Sequence, residues 1–426
     1  MRIVILNTYS WFQKGDAAIV LGTVKGLRRA DPGADITMVS MTPDVDRAKF
    51  EAEHLKVIGG PFGCIYETHR PAFWRAAAFA SNCAALLAGI GLLRLGVNPD
   101  QPWLPRRARE MAVALSQADF AVSVGGGFWT DSAKRAVYMH LFQVMCALIT
   151  GLPVVCLGQS IGPFRKSFRS RLVGRILGRS AAIVLREQES LSVVRDLGID
   201  LRKVHLGADM AFALAEPLEE AVLNRRPRSP MRIGVTARKW LFPRSTDARQ
   251  AQESYERILI AAIDELVERY DADVVFLPQV IGPAGDDDRI VQSRIAGQLK
   301  HSARATVLRE DLSPAELVRY IGGELDLVIA TRFHSAIFTM LANVPVVAIA
   351  YEHKTTGIMK AMGLSEWVIP IEQVDVPSLM QCCAAVCADY GAIKARLNDA
   401  VRDMSERAIA GAELCVSVVR ELRRHD

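Results

Sequence analysis

Short β-branched apolar runs alternate with longer amphipathic stretches along almost the whole chain, and this alternation restricts the fold more than any other feature. It is the pattern of parallel strands joined by helices. In the first half the pattern predicts strands at 2–6 (RIVIL), 35–39, 55–58, 120–124 (FAVSV), 153–157 (PVVCL), 182–185 (AIVL) and 203–206. Helices are expected at 17–29, 105–117, 134–149 and 166–179. The stretch 214–230, LAEPLEEAVLNRRPRSP, is polar, rich in proline and breaks the rhythm, as a linker does. After it the alternation restarts. Strands are expected at 231–236, 273–277, 305–308, 326–330 and 345–350, with helices at 252–269, 287–299, 314–322, 335–342 and 355–362. Helices at about 375–389 and 393–424 close the chain.

Two such halves predict an α/β fold of two Rossmann-like domains facing across a cleft, a GT-B-like arrangement closed by C-terminal helices. The domains are expected at 1–222, with an apolar insertion at about 60–105, and at 229–426. A length of 426 residues agrees, because it exceeds what one ordinary core accommodates. The net charge of +5 is modest and favours anionic small molecules or an anionic membrane surface. No arginine-rich tail or aromatic-interleaved basic strip points to nucleic acid. Eight cysteines without a CxxC pair or disulfide-like spacing read as free thiols of a reducing compartment. MRIVILN runs directly into a strand with no signal-like apolar region, so a cytoplasmic protein is expected.

The segment 76–93, AAAFASNCAALLAGIGLL, carries no charge and is about as long as a membrane span. Its alanines and glycines, with Ser81 and Asn82, weaken its transfer into lipid. Three readings follow: a helix buried in the fold or against another subunit, an interfacial helix or hairpin flanked by Trp74, Arg75 and Arg94, or a span. The basic stretch 165–179 reads as a solvated or interdomain face, or as one attracted to an anionic membrane. There is no GxxxxGK[ST], no GxGxxG after the first strand and no HExxH or Cys/His cluster, so neither a P-loop, a dinucleotide cofactor nor a metal is expected. The acidic triplet 286–288 opens a helix and reads as an N-cap with favourable dipole charge.

In parallel α/β folds, ligands sit beyond the carboxyl ends of the strands. The richest such end is DLVIA-TRFHSAIF, which places Thr331, Arg332 and His334 between a strand and a helix. The arginine offers a fork of donors for a carboxylate or phosphate, the histidine can move a proton, and the helix N-terminus adds amides aimed at an anion. The alternative is that Arg332 pairs with a structural carboxylate and His334 caps the helix. Beyond 345–350, Lys354 stands as a point charge near the next helix, a phosphate partner or a solvated lysine. In the first half, Gly125, Gly126 and Gly127 permit close backbone approach or a tight turn. Gln159 and Ser160 sit in a glycine-bounded loop. Arg186 is a second candidate anion clamp, or an ion pair within REQE. Asp16, after Gly15, is a helix cap or a contact for substrate hydroxyls.

Taken together, GDAAI at 15–19, GGG at 125–127, GQSIGPF at 158–164, RExxS at 186–190, GAD at 207–209 and TRFHSAI…NVPVVAIAYEHKTTGIMKAMGL at 331–364 resemble the polysaccharide pyruvyl transferase family. The resemblance implies a GT-B-like fold with the acceptor on the N-terminal domain and the donor on the C-terminal one. It implies transfer of the pyruvyl group of phosphoenolpyruvate onto two hydroxyls of a sugar, as a ketal, with release of phosphate and with no cofactor beyond that donor. Donor-binding arginines then fall on Arg186 and Arg332, the catalytic histidine on His334, the late lysine on Lys354 and the aspartate of the GD motif on Asp16. The expected partners are phosphoenolpyruvate and a saccharide acceptor of a cell-surface or exopolysaccharide, free or lipid-linked, with peripheral contact to the inner membrane surface as a further expectation. The competing readings are a glycosyltransferase of the same architecture with a nucleotide-sugar donor and a non-catalytic scaffold in polysaccharide assembly. The segment 60–105 has no counterpart in the resemblance.

Overall fold

The structure is a computed structural model that describes residues 1–66, 70–165, 168–282 and 287–425. It divides into two compact units. Unit 1 comprises Met1–Trp11, Asp16–Ala213 and Met404–Asp426, and unit 2 comprises Phe12–Gly15 and Leu214–Asp403.

Unit 1 is built on β1 (Arg2–Leu6), β2 (Asp35–Ser40), β3 (Lys56–Gly59), β4 (Phe120–Ser123), β5 (Gly126–Trp129), β6 (Val154–Ile161), β7 (Ala182–Leu185) and β8 (Val204–Leu206). The order is β3-β2-β1-β4-β6-β7-β8, with β5 alongside β6, and the pairings are parallel. Helices cover both faces, which is why β1, β4 and β6 are apolar runs rather than alternating ones: Ile3, Val4, Ile5 and Leu6 are all buried. The strand order reverses between β1 and β4.

Unit 2 contains β9 (Arg232–Thr236), β10 (Asp273–Phe276), β11 (Ala305–Val307), β12 (Leu327–Ala330), β13 (Val346–Ala350) and β14 (Val368–Pro370). Its parallel order is β11-β10-β9-β12-β13-β14, with the reversal between β9 and β12. This is the doubly wound Rossmann order, and ligands of such sheets collect outside the strand ends at the reversal. Its long helix Ala248–Tyr270 starts where Asp247 accepts the amides of Arg249 and Gln250 and stops at Asp271, in the left-handed conformation. The helix Pro314–Glu324 is held by a capping box of Ser313 and Glu316.

The expected α/β class is the one observed, and three local expectations change. Residues 214–230 are not a free linker: Arg225 and Arg228 donate to carbonyls of 322–325, and Arg225 also meets Asp326 at 3.3 Å. The last helix is continuous over Tyr390–His425, and its residues from Met404 count with unit 1 rather than with the C-terminal half. There Ala408, Ala412, Cys415 and Val419 repeat at helical spacing and are buried, and Arg407 donates to the Gly207 carbonyl at 2.8 Å. The third change concerns Gly126 and Gly127, which open strand β5 rather than forming a turn, and Gln159 and Ser160, which lie at the end of β6 rather than in a loop.

Residues 76–93 lie in a single helix, Ala72–Arg94. It is not a buried helix, since only 22% of its apolar window lies inside the fold. In the basic stretch 165–179, the helix runs over Phe168–Leu177, Arg169 pairs with Asp131 at 2.7 Å, and residues 166 and 167 lie outside the described residues.

Candidate active site

In unit 2, the strand-end residues singled out in the sequence meet at the reversal of the sheet. Thr236 ends β9, and its Oγ1 accepts the amides of Thr331 (2.8 Å) and Arg332 (3.4 Å) just beyond β12. The same hydroxyl lies 3.0 Å from Ser335 Oγ, which donates to the Arg332 carbonyl at 2.6 Å. Tyr255 OH reaches Thr331 Oγ1 at 2.9 Å, and burial pushes that phenol well above its ordinary range, so it stays neutral. Arg332 is the N-cap of the helix Phe333–Leu341, in extended backbone with φ −88° and ψ 137°. Its neighbourhood therefore includes the positive end of that helix dipole.

The Arg332 guanidinium does not stand open to solvent. It grips Asp288 through Nε (3.2 Å to Oδ2) and Nη2, and their side chains are 11% and 2% exposed. Asp288 also accepts the amides of Gln279 and Val280, each at 3.0 Å. This corrects the reading of the acidic triplet. Asp287 is the N-cap, accepting from Arg289 N, whereas Asp288 is the buried anchor of Arg332; Asp286 lies outside the described residues. The alternative noted for Arg332, a structural carboxylate partner, thus holds for one edge of its fork.

The same loop is clamped from its other side by Phe12–Gly15. Lys14 N donates to the Gln279 carbonyl and Ile281 N to the Phe12 carbonyl, both at 2.9 Å, and Gln13 bridges Val280. Lys14 is buried and paired with Asp311. This clamp brings Gly15 against the His334 ring: a Cβ on Gly15 would lie 2.0 Å from Nδ1. Glycine is required there because the histidine occupies the space of a side chain. Phe333 meets His334 edge-on, at 4.8 Å between ring centroids. Lys354 Nζ lies 5.5 Å from the Phe333 ring centroid and 2.9 Å from Glu352, so it is a half-buried paired lysine rather than a solvated one. Arg238 and Lys354 lie 4.6 and 5.9 Å from the Tyr351 ring, which adds Arg238 to the cations of this edge.

Unit 1 carries a second polar cluster at its own reversal. Asn7, just past β1 with φ 63°, donates to Ser123 Oγ at 2.9 Å, and its amide reaches Gln143 Oε1 at 3.2 Å. His140 joins them, with Nδ1 3.1 Å from Asn7 Oδ1 and Nε2 2.7 Å from Tyr9 OH. Its ring stacks on Phe128 at 4.0 Å, and burial pulls its pKa down to about 3. Gln159 donates to the carbonyls of Ser123 and Val124 and accepts from Trp129 Nε1 at 2.8 Å. Gly125 is there because a Cβ would lie 2.5 Å from the Gly158 carbonyl: two backbones approach, not a backbone and a ligand. Gly126 opens β5 beside the Phe128 ring, and Gly127 is exposed. Asn7, Tyr9 and His140 escaped sequence reasoning; their signals were an asparagine at a strand end and a histidine inside the apolar run AVYMHLFQV.

For Arg186, the ion pair within REQE noted as the alternative is present, with Glu187, and Asp209 joins it. Arg186 is 3% exposed and bonded to Asp209 (2.6 Å), Ser160 Oγ (2.6 Å) and Glu187 (3.3 Å). Glu187 in turn accepts from Ser160 and Ser190. Burial works against the guanidinium charge, but Asp209 and Glu187 outweigh it and raise the pKa. With two carboxylates around one cation, Arg186 ties together β6, β7 and the GAD loop. Asp16 lies in the first turn of the helix Lys14–Ala30, inside the helix rather than at its cap. Among the described residues, no three His, Cys, Asp or Glu side chains are grouped to hold a metal ion.

The motifs at the strand ends of the two units, each taken by itself, are those of one family, and a comparison with known proteins decides the matter: the family model described as polysaccharide pyruvyl transferase matches residues 14–353. The chain belongs to the polysaccharide pyruvyl transferase family. It is 26% identical to the amylovoran biosynthesis protein AmsJ of Erwinia amylovora, over 99% of this chain and 100% of that protein. This transferase of polysaccharide biosynthesis shares its fold with the UDP-GlcNAc 2-epimerase of Neisseria meningitidis (9% identity, TM-score 0.60, 99% of this chain and 100% of that one). It also resembles Anabaena HepE in complex with UDP (14% identity, TM-score 0.54, 100% and 99% covered). These likenesses place the transferase in the GT-B-like epimerase fold and are likenesses of fold alone.

Two outcomes follow from the geometry. Asp288→Ala leaves the buried Arg332 and two amides without their acceptor, and should lower the unfolding free energy by about 3–5 kcal/mol in urea titrations. For His140, the folded pKa of about 3 lies below the ordinary 6.5, so the unfolded chain takes up the proton first. Its contribution is complete above pH 6.5 and is lost as pH falls toward 3, at up to about 1.4 kcal/mol per pH unit. A His140→Gln variant should lose that part of the slope between pH 7 and 5. An unchanged slope would contradict the neutral buried state.

Proposed function

We propose that this protein moves the pyruvyl group of phosphoenolpyruvate onto two hydroxyls of a saccharide acceptor and releases phosphate. The observation that carries the reading is the convergence of Arg332, His334 and a helix N-terminus at the strand reversal of unit 2, within a family of pyruvyl transferases. A carboxylate and a phosphate on one small donor suit such an edge, where Lys354 and Arg238 add positive charge.

In this scheme His334 delivers a proton to the methylene carbon of the donor, which becomes a methyl group. The neighbouring carbon gains cationic character and is attacked by the first sugar hydroxyl, whose proton passes to a base. The bond to the phosphate oxygen breaks and phosphate leaves. A second hydroxyl then adds to the same carbon, its proton is released, and the ketal closes. Of the two hydroxyl protons, one balances the proton gained by the methyl carbon and the other leaves with phosphate. Asp16, the residue after Gly15, orients or deprotonates the acceptor. Arg332 fixes the donor, and Asp288 fixes Arg332. Arg186 serves as a positioning residue behind the polar strand end of β6, with Gln159 and Ser160, and Gly125, Gly126 and Gly127 shape that edge of the acceptor side. The scheme requires no metal or cofactor. Among the described residues the eight cysteines form no disulfide, which suits a cytoplasmic setting.

The competing reading, a nucleotide-sugar donor, draws on the fold neighbours solved with UDP and UDP-GlcNAc. Phosphate release with phosphoenolpyruvate and a panel of saccharide acceptors separates the two. His334→Ala should lose about 10²–10⁴-fold in turnover while keeping the wild-type melting temperature. Arg332→Lys should also fail, because an ammonium cannot hold Asp288 and the donor with one planar fork. A fully active His334→Ala protein would refute the assignment.

A further inference from the structure

We propose that the helix Ala72–Arg94 seats this protein on an anionic membrane surface, lying in the interface rather than crossing it. Along the helix and into its C-cap, Phe73, Ala77, Ala80, Ala84, Leu87 and Leu95 are exposed at a spacing that puts them on one face. Phe73 is 76% and Leu95 80% exposed, unusual for large apolar side chains that belong to one stripe. The opposite face is fully used. Asn82, Leu86, Gly89 and Ile90 are buried, and Gly89 packs so closely that a Cβ would lie 3.1 Å from the Ala112 methyl on the helix Arg106–Gln117.

Those two faces decide among the occupants of the surface. A span needs apolar surroundings on every side, and this helix could gain them only by leaving Ala112 and Leu104. A second copy is disfavoured by charge. Residues 70–99 contain arginine at 70, 75 and 94 and no aspartate or glutamate. Pairing two stripes antiparallel brings Arg94 toward the other copy's Arg70 and Arg75, and pairing them parallel stacks like on like. A lipid surface has the opposite requirement. Phosphate headgroups take up arginines at both ends of the stripe while the apolar residues between them enter the acyl boundary. Trp74, half exposed with the Arg70 guanidinium 3.8 Å from its ring centroid, is the amphipathic residue that favours this depth.

Flotation of the full-length protein with vesicles tests this. The wild type should float with phosphatidylcholine–phosphatidylglycerol vesicles, far less with phosphatidylcholine alone, and less at high salt. Leu87→Glu with Leu95→Glu should reduce binding at least tenfold, and Arg70→Gln with Arg94→Gln by about fivefold per arginine. Both pairs are surface changes and should keep the wild-type melting temperature. A wild type that stays unbound with anionic vesicles, that binds neutral vesicles equally well, or that forms a stable dimer dissolved by the glutamate pair would overturn the proposal.

Discussion

The buried carboxylate of Asp288 is the interaction on which the rest of the candidate site depends. It takes two backbone amides from the loop after β10 and the forked edge of Arg332 from the loop after β12. A charge this deep is tolerated only because every demand on it is met. Through the same loop, the segment Phe12–Gly15 is bonded to Gln279 and Ile281. The early glycine–aspartate motif and the late TRFH motif are therefore two ends of one bonded chain: segment 12–15, loop 279–281, Asp288, Arg332. His334 stands beside Gly15 because that chain holds the glycine there.

Unit 1 repeats the principle with neutral groups. Asn7 ties Ser123, His140 and Gln143 together at its strand reversal, Gln159 joins the Ser123 carbonyl to Trp129, and His140 is kept uncharged by burial. Behind it, Arg186 is locked by Asp209 and Glu187. In both units, the side chains beyond the strand ends are held by second groups that leave few rotamers open. Such preorganisation is what positioned proton transfer and anion recognition require.

Most of the strand framework was legible from sequence because buried parallel strands are written as short β-branched runs. The position of Arg332 and His334 at the end of β12 followed from the same rule. What escaped was non-local. Asp288 lies 44 residues from Arg332, and nothing in GDDDR distinguishes an N-cap from a buried anchor. The glycine at 125 reads as a turn residue, yet it stands where its backbone approaches the Gly158 carbonyl too closely for a Cβ. The last helix was legible as a helix, but its amphipathic pattern could not say which sheet its second half would cover. For Arg186 the sequence left a clamp and an ion pair within REQE both open, because it shows the charge and Glu187 without showing the distant Asp209 that also pairs with it.

The central claim is that Arg332, held by Asp288, forms the anion site of a phosphoenolpyruvate-dependent transferase. A thermal-shift titration of the wild type and Arg332→Gln tests it most directly, since a ligand that binds the native state raises the melting temperature as its concentration passes the dissociation constant. Phosphoenolpyruvate should stabilise the wild type in a saturable manner and leave Arg332→Gln unmoved, while UDP-sugars stabilise neither. Stabilisation of the wild type by a UDP-sugar, with no response to phosphoenolpyruvate, would contradict the account.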